Sequence, residues 1–224
     1  MTHPAIIKAT GLIQAGDIVG AEAALTALVE TEGDTALVEV LDDMPSKDLL
    51  AVIREYDSSR ESILNLLITP EQFARAVVLE RLYGDASHEH LRGMINSVIF
   101  REDANAREFL GAIVELDGGC EALADYLSNR AEEVVGEFDA LEIDDLPREE
   151  VSDHDWKELT WLLRHEQPEV YDIVHKLLMT QVQNRIKAEA EEAESEEEPT
   201  YTDQVVTKVA AKDDDVEDDD ESAI

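Results

Sequence analysis

The sequence is short of cysteine, aromatic and basic residues, and each shortage excludes a class of protein. Cys120 is the single cysteine among 224 residues, so no disulfide can form within the chain. Aromatic residues make up 5 %, and 10 glycines with 6 prolines are too few for the many turns of an all-β fold. With 18 basic against 54 acidic residues the net charge is −36. Such a chain repels nucleic acid and anionic membranes.

Long apolar runs and a targeting segment are also missing. The most apolar stretch, ILNLLI at residues 63–68, is far shorter than the roughly 20 residues that span a bilayer. The first residues, MTHPA, have neither the basic nor the apolar region of a signal peptide. We therefore expect a cytoplasmic protein that neither inserts into a membrane nor binds nucleic acid directly.

What the chain does have is a series of short amphipathic helices. Asp17 is a predicted N-cap, apolar residues then recur at helical spacing, and Gly33 ends the helix. Pro45 separates the next two helices. Ser58 and Glu61 have the spacing of a capping box, in which each side chain bonds to the other residue's backbone. The first third of the sequence thus predicts several helices joined by very short linkers.

The helical pattern continues through the middle of the chain. The segment TPEQ at residues 69–72 combines a Thr cap, a Pro at the first helical position and a Gln at the third. Further helices are predicted over 88–100, 105–116 and 120–138. Because short connections make neighbouring helices antiparallel, this run is expected to stack into a superhelix or an irregular bundle.

The last third changes in composition. Ser152 and Asp155 predict another capping box, and Pro168 opens the terminal helix. Residues 188–224 contain 16 acidic residues and 2 lysines, which predicts disorder by self-repulsion. The predicted fold is all-α, with about nine short helices, a long terminal helix and a disordered acidic tail. Its expected parts are a repeat-like domain (1–138), an acidic linker (139–152), a helical pair (153–187) and the tail (188–224).

Two stretches resemble known helical families. LVEVLDDMPSKDLLAVIR (37–54) followed by ITPEQFARAVVLE (68–80) resembles the cytosolic N-terminal domain of MgtE-type magnesium channels, a superhelix of short helices. WLLRHEQPEVYDIVHKLL (161–178) is similar to a helical unit of the flagellar motor switch protein FliG, where a comparable His- and Pro-containing phrase begins a docking helix. The resemblance implies a superhelix that binds or regulates neighbouring proteins.

No combination of residues predicts catalysis, a cofactor or a metal site. His88 and His90 would point about 200° apart on a helix, and no cysteine motif accompanies the histidines. Acidic pairs such as Asp42-Asp43 predict at most loose binding of divalent cations, because they lack the order of a calcium loop. Cys120 follows two glycines at a predicted helix start, where the helix dipole lowers a thiol pKa; the alternative is an inert, buried cysteine.

The sequence therefore predicts a non-enzymatic protein-interaction module, either an adaptor or an assembly chaperone. Its expected partner is a protein with a basic surface or an exposed apolar segment, and its oligomeric state is left open. Two alternatives remain at this stage: a virion scaffolding or tail-assembly chaperone, and an acidic mimic of nucleic acid that inhibits a DNA-binding protein. The late helices combine aromatic residues with the phrase HEQP at 165–168, a reordered form of the FliG docking phrase. The predicted partner-binding residues are therefore Trp156, Trp161, His165, Glu166 and Tyr171.

Overall fold

A computed structural model describes residues 2–56, 62–84, 86–101, 103–136, 147–151 and 155–197. Every regular element within these ranges is a helix, which confirms the predicted all-α class. The elements are α1 (Pro4–Gln14), α2 (Ile18–Glu32), α3 (Asp34–Asp43), α4 (Ser46–Glu55), α5 (Ile63–Leu67), α6 (Pro70–Tyr83), α7 (Glu89–Ile99), α8 (Ala106–Glu115), α9 (Gly119–Leu127), a 3₁₀ turn (Ser128–Arg130), α10 (Ala131–Gly136), α11 (Arg148–Val151), α12 (Trp156–Glu166) and α13 (Pro168–Glu197).

Twelve helices in the described ranges precede the long terminal helix, against about nine expected. Helix α1 was not predicted, although His3 caps it by accepting the N–H of Ala5 at 3.2 Å. The single helix expected over 120–138 is divided into α9 and α10, since the Ser128 hydroxyl donates to the Asp125 carbonyl and the chain tightens into a 3₁₀ turn. The Ser58–Glu61 capping box, Ser152, most of the 139–152 linker and the tail beyond residue 197 lie outside the described residues.

Several predicted helix boundaries are confirmed by their capping geometry. The Asp17 carboxylate accepts the Gly20 N–H at 2.8 Å and begins α2. Gly33 lies between α2 and α3 with φ of 90°, a backbone conformation that a residue with a Cβ rarely adopts. Thr69 and Gln72 form the full capping box of α6, with each side chain accepting the other's backbone N–H.

Helix α6 lies at the centre of the bundle. It packs against α4, α7, α8 and α9, so residues on most of its circumference are buried. Phe73 meets Phe109 of α8 edge to face, with ring centroids 5.6 Å apart. Helix α2 packs against α1, α3 and α4, and α12 packs against α8. By its internal contacts the chain divides into a large unit, Met1–Ile186, and a small one, Lys187–Ile224; in the latter, Lys187 and Glu191 form an ion pair at 3.7 Å.

Gln72 is fully buried, and its side chain connects α6 to α3. The amide nitrogen donates to the Val38 carbonyl at 3.2 Å and to the Asp42 carboxylate at 2.9 Å. Its oxygen accepts the Thr69 N–H at 3.0 Å. A buried polar group of this kind stabilises the fold only while all of its partners remain in place.

Replacing Gln72 with Ala is expected to lower the free energy of unfolding by about 2–3 kcal/mol, because it removes three hydrogen bonds and leaves their partners partly buried. Arg75→Ala is the matched control, since it removes only an exposed ion pair with the same Asp42, at 3.7 Å. Its expected effect is below about 0.5 kcal/mol. Urea unfolding followed by circular dichroism measures both variants, and equal losses would contradict this role of Gln72.

Candidate functional site

Four of the five predicted partner-binding residues lie where α12 turns into α13, and Trp156 lies at the start of α12. Trp161, His165 and Glu166 occupy the second half of α12, and Tyr171 lies in the first turn of α13. Only Gln167 separates the two helices. We call the region defined by Trp161, His165, Glu166 and Tyr171 the α12–α13 corner.

Local chemistry explains the geometry of these two helices. Asp155 caps α12 by accepting the Lys157 N–H at 2.9 Å. The Gln167 N–H donates to the Leu163 carbonyl at 3.0 Å and ends the helix. Pro168 then begins α13 at a position where no backbone donor is needed. The Gln167 side chain donates to the Arg107 carbonyl at 3.3 Å, which attaches the corner to α8.

The first aromatic group of the corner is a stacked pair. The rings of Trp161 and His165 lie 4.2 Å apart with an interplanar angle of 16°. Their spacing of four residues puts them on one face of α12. His165 Nδ1 lies 2.9 Å from the Trp161 carbonyl oxygen, and because a carbonyl only accepts, Nδ1 carries the proton. Trp161 is half-buried against the core and His165 is exposed, so the pair has one anchored ring and one accessible ring.

The second aromatic group surrounds Tyr171. The Arg164 guanidinium lies 5.6 Å from the Tyr171 ring centroid, within the range of a cation–π contact. The His175 ring lies at the same distance on the next turn of α13. Tyr171 is half-buried and packs against the core. Trp156 has a similar contact, with Lys157 Nζ 5.7 Å from its ring.

This part of the chain, like residues 63–101, carries no net charge, although the chain as a whole is strongly acidic. Residues 155–187 contain five acidic and five basic residues, whereas the whole chain carries −36. One of the five carboxylates, that of Glu158, is buried. The corner therefore presents aromatic and mixed polar groups without a net negative charge.

A second feature lies between α4 and α7. A cleft of about 180 Å³ is lined by Arg54, Glu89, His90, Gly93 and Met94. Arg54 Nη2 donates to His90 Nδ1 at 3.2 Å, and its Nε lies 3.5 Å from the buried Glu80 carboxylate. Sequence reasoning considered His88 and His90 but missed Arg54 and Glu80, because nothing in their sequence positions shows that the fold brings them together.

The described ranges contain no group of three histidine, cysteine or carboxylate side chains that could hold a metal ion. None of the helices in the part of the chain that the structure describes is long and apolar enough to cross a membrane.

Neither family models, nor curated proteins, nor solved structures match this chain.

Cys120, the second residue of α9, is half-buried. Burial raises the pKa of its thiol above the ordinary value, and the neighbouring charge of Glu121 raises it further. Both effects disfavour the thiolate. The geometry favours the inert cysteine over the reactive one.

Alkylation of Cys120 by iodoacetamide is expected to be slower at pH 7 than that of a free cysteine, because only the thiolate reacts. The midpoint of its rate–pH profile should lie above that of the urea-unfolded chain. Glu121→Gln should move the midpoint down, since the substitution removes a negative charge beside the thiol. Glu115→Gln, in the preceding helix, is the control, and a midpoint shifted equally by both substitutions would contradict the local cause.

Proposed function

We propose that the chain is a non-enzymatic protein-interaction module, an adaptor or assembly chaperone, that binds its partner at the α12–α13 corner. One observation carries the proposal: two half-buried aromatic residues, Trp161 and Tyr171, meet other ring and cationic groups in a segment without net charge on a strongly acidic chain. The expected partner surface is an apolar segment flanked by basic residues.

Packing of the aromatic residues supports a binding role. Tryptophan and tyrosine contribute much of the binding energy at protein interfaces, and they are most effective where their rings are already held in place. The His165 ring holds one face of Trp161, and Arg164 lies over Tyr171. A partner that contacts these rings therefore loses less conformational entropy than it would with freely rotating side chains.

The distribution of charge supports the same role. Residues 1–187 carry −22 and the remainder −14, a field that raises the association rate of a basic partner by about 10–10³-fold. Since residues 155–187 have no net charge, binding there does not require an unpaired acidic cluster to lose its water. Long-range attraction and short-range apolar contact are thus assigned to different parts of the chain.

A cytoplasmic location belongs to this proposal. Its support is the single cysteine, because a chain without disulfides suits a reducing compartment. The two alternatives from the sequence, a virion assembly chaperone and a nucleic-acid mimic, predict different partners in the same experiment: a capsid or tail protein, or a protein that DNA displaces.

The test is capture of partners from native lysate by the full chain and by a Trp161→Ala/Tyr171→Ala variant. One dominant partner is expected with the native chain and at least a tenfold loss with the variant, since a loss of about 1.4 kcal/mol is a factor of ten. Tyr83→Ala is the control, because Tyr83 is the most exposed large apolar residue of the described ranges at 73 %. His165→Ala tests the accessible ring of the stack.

The association rate of the captured partner should fall as salt is raised, because its attraction to the acidic chain is screened. Binding that survives in the Trp161/Tyr171 variant would contradict the corner as the site. Loss of the partner when residues 188–224 are deleted, with the corner intact, would transfer the function to the acidic tail. No partner with any version would contradict the proposal as a whole.

A further inference from the structure

We propose that Arg54 of α4 and His90 of α7 form a pH-sensitive latch, which joins the two helices while His90 is neutral and opens when His90 takes up a proton. We call this pair of side chains the α4–α7 latch. Both residues line the cleft described above. The proposal concerns a local response to pH and does not depend on the proposed function.

The chemistry of the two side chains fixes the protonation state of the closed latch. Arg54 Nη2 lies 3.2 Å from His90 Nδ1. A guanidinium only donates hydrogen bonds, so Nδ1 accepts with its lone pair, and the imidazole is neutral with its proton on Nε2. An imidazolium carries a proton on both ring nitrogens and has no acceptor left. Protonation of His90 therefore converts the hydrogen bond into a contact between two cations.

Arg54 is the partner that stays in place. Its Nε lies 3.5 Å from the carboxylate of Glu80, which is 2 % exposed. Withdrawing the guanidinium would remove the cation that compensates this buried carboxylate, which is far less favourable than moving an exposed side chain. His90 is exposed and belongs to the first turn of α7. The response to protonation therefore falls on His90 and on the turn that carries it.

The start of α7 is suited to such a movement. His88, its N-cap residue, has a φ of 53°, a left-handed conformation that is unfavourable for a residue with a Cβ, and its side chain makes no capping hydrogen bond. The N-terminal end of a helix also disfavours a positive charge. Since this turn is held less firmly than a fully capped one, its position depends more on the bond to Arg54.

Charged groups on the neighbouring elements give the protonated ring another environment. Glu55 of α4 and Glu89 of α7 are exposed carboxylates, each adjacent in sequence to a latch residue. Glu80 of α6 pairs with Arg54. Helix α5, which also packs against α7, has no ionisable side chain. An imidazolium that turns away from the guanidinium therefore meets water and exposed carboxylates.

Helices α8 and α9 also pack against α7. Tyr126 of α9 meets α7 at Asn96, to which its hydroxyl donates at 2.6 Å, and the Asp125 carboxylate accepts from Arg81. The other ionisable groups of these two helices are Arg107, Glu108, Glu115, Cys120 and Glu121. Because all of them are the same in the native chain and in a His90 variant, comparing the two chains at one pH isolates the contribution of His90.

The first test is nuclear magnetic resonance of the ¹⁵N-labelled full chain between about pH 7.5 and about pH 5.5, where histidines change charge. The Arg54 Nε–H signal should move together with the ring signals of His90. In His90→Gln the amide oxygen accepts the same bond and does not titrate, so the Arg54 signal should stay in place. His88→Asn is the matched control, since it removes the neighbouring ring at a position where Asn tolerates the left-handed backbone, and Arg54 should still respond.

Hydrogen exchange tests whether the first turn of α7 opens. The Arg92 N–H donates to the His88 carbonyl at 3.0 Å. At about pH 5.5 it should exchange several-fold faster in the native chain than in His90→Gln, where the bond to Arg54 persists. At about pH 7.5 the two chains should exchange alike. Comparison at one pH removes the intrinsic effect of pH on exchange.

An Arg54 signal that does not move in the native chain would overturn the latch, and so would equal movement in His90→Gln. Equal exchange of the Arg92 amide in the two chains at the acidic pH would overturn the opening of the turn. Circular dichroism shows that both variants fold. None of these signals requires a partner, so this proposal and the proposed function fail separately.

Discussion

The structure depends on keeping the polar groups of a central buried helix satisfied. Helix α6 is surrounded by other helices, and it carries a buried polar side chain near each end: Gln72, fully buried, and Glu80, 2 % exposed. Burial of such groups is unfavourable without partners. Gln72 bonds to Val38 and Asp42 of α3, and Glu80 pairs with Arg54 of α4. The two ends of α6 thus fix the positions of α3 and α4 around it.

The same helix positions the α12–α13 corner through a short relay of polar contacts. Arg81 of α6 donates from Nε to the Asp125 carboxylate of α9 at 3.0 Å. The other oxygen of that carboxylate accepts from the Gln181 side chain of α13 at 3.3 Å. Gln167 attaches the corner to α8, which packs directly on α6. Two separate connections therefore hold α13 relative to the core, so the corner aromatics lie on a supported surface.

Contacts between residues close in the sequence were predictable, and contacts between distant residues were not. The caps at Asp17 and Thr69 were predictable because donor and acceptor lie within three residues of each other. The Arg54–Glu80 and Arg81–Asp125 pairs were not, because they join residues 26 and 44 positions apart in a chain with 54 acidic residues to choose from.

The division between α9 and α10 was missed because no Gly or Pro marks it. The contacts of Trp161 with His165 follow from their spacing, but the approach of Arg164 to Tyr171 requires the turn at Gln167. The resemblance to magnesium-channel and motor-switch domains stays a prediction.

The placement of charge bears on why the chain is so acidic. The net negative charge lies in residues 1–62, 102–154 and 188–224, which carry −8, −14 and −14. Residues 63–101 and 155–187 each have a net charge of zero, and the second of these segments holds both tryptophans and the corner. Neutral, apolar surface is where close contact costs least in desolvation, while the acidic remainder opposes non-specific association. Under the proposed function, the acidic stretches restrict the contacts that the neutral late helices make.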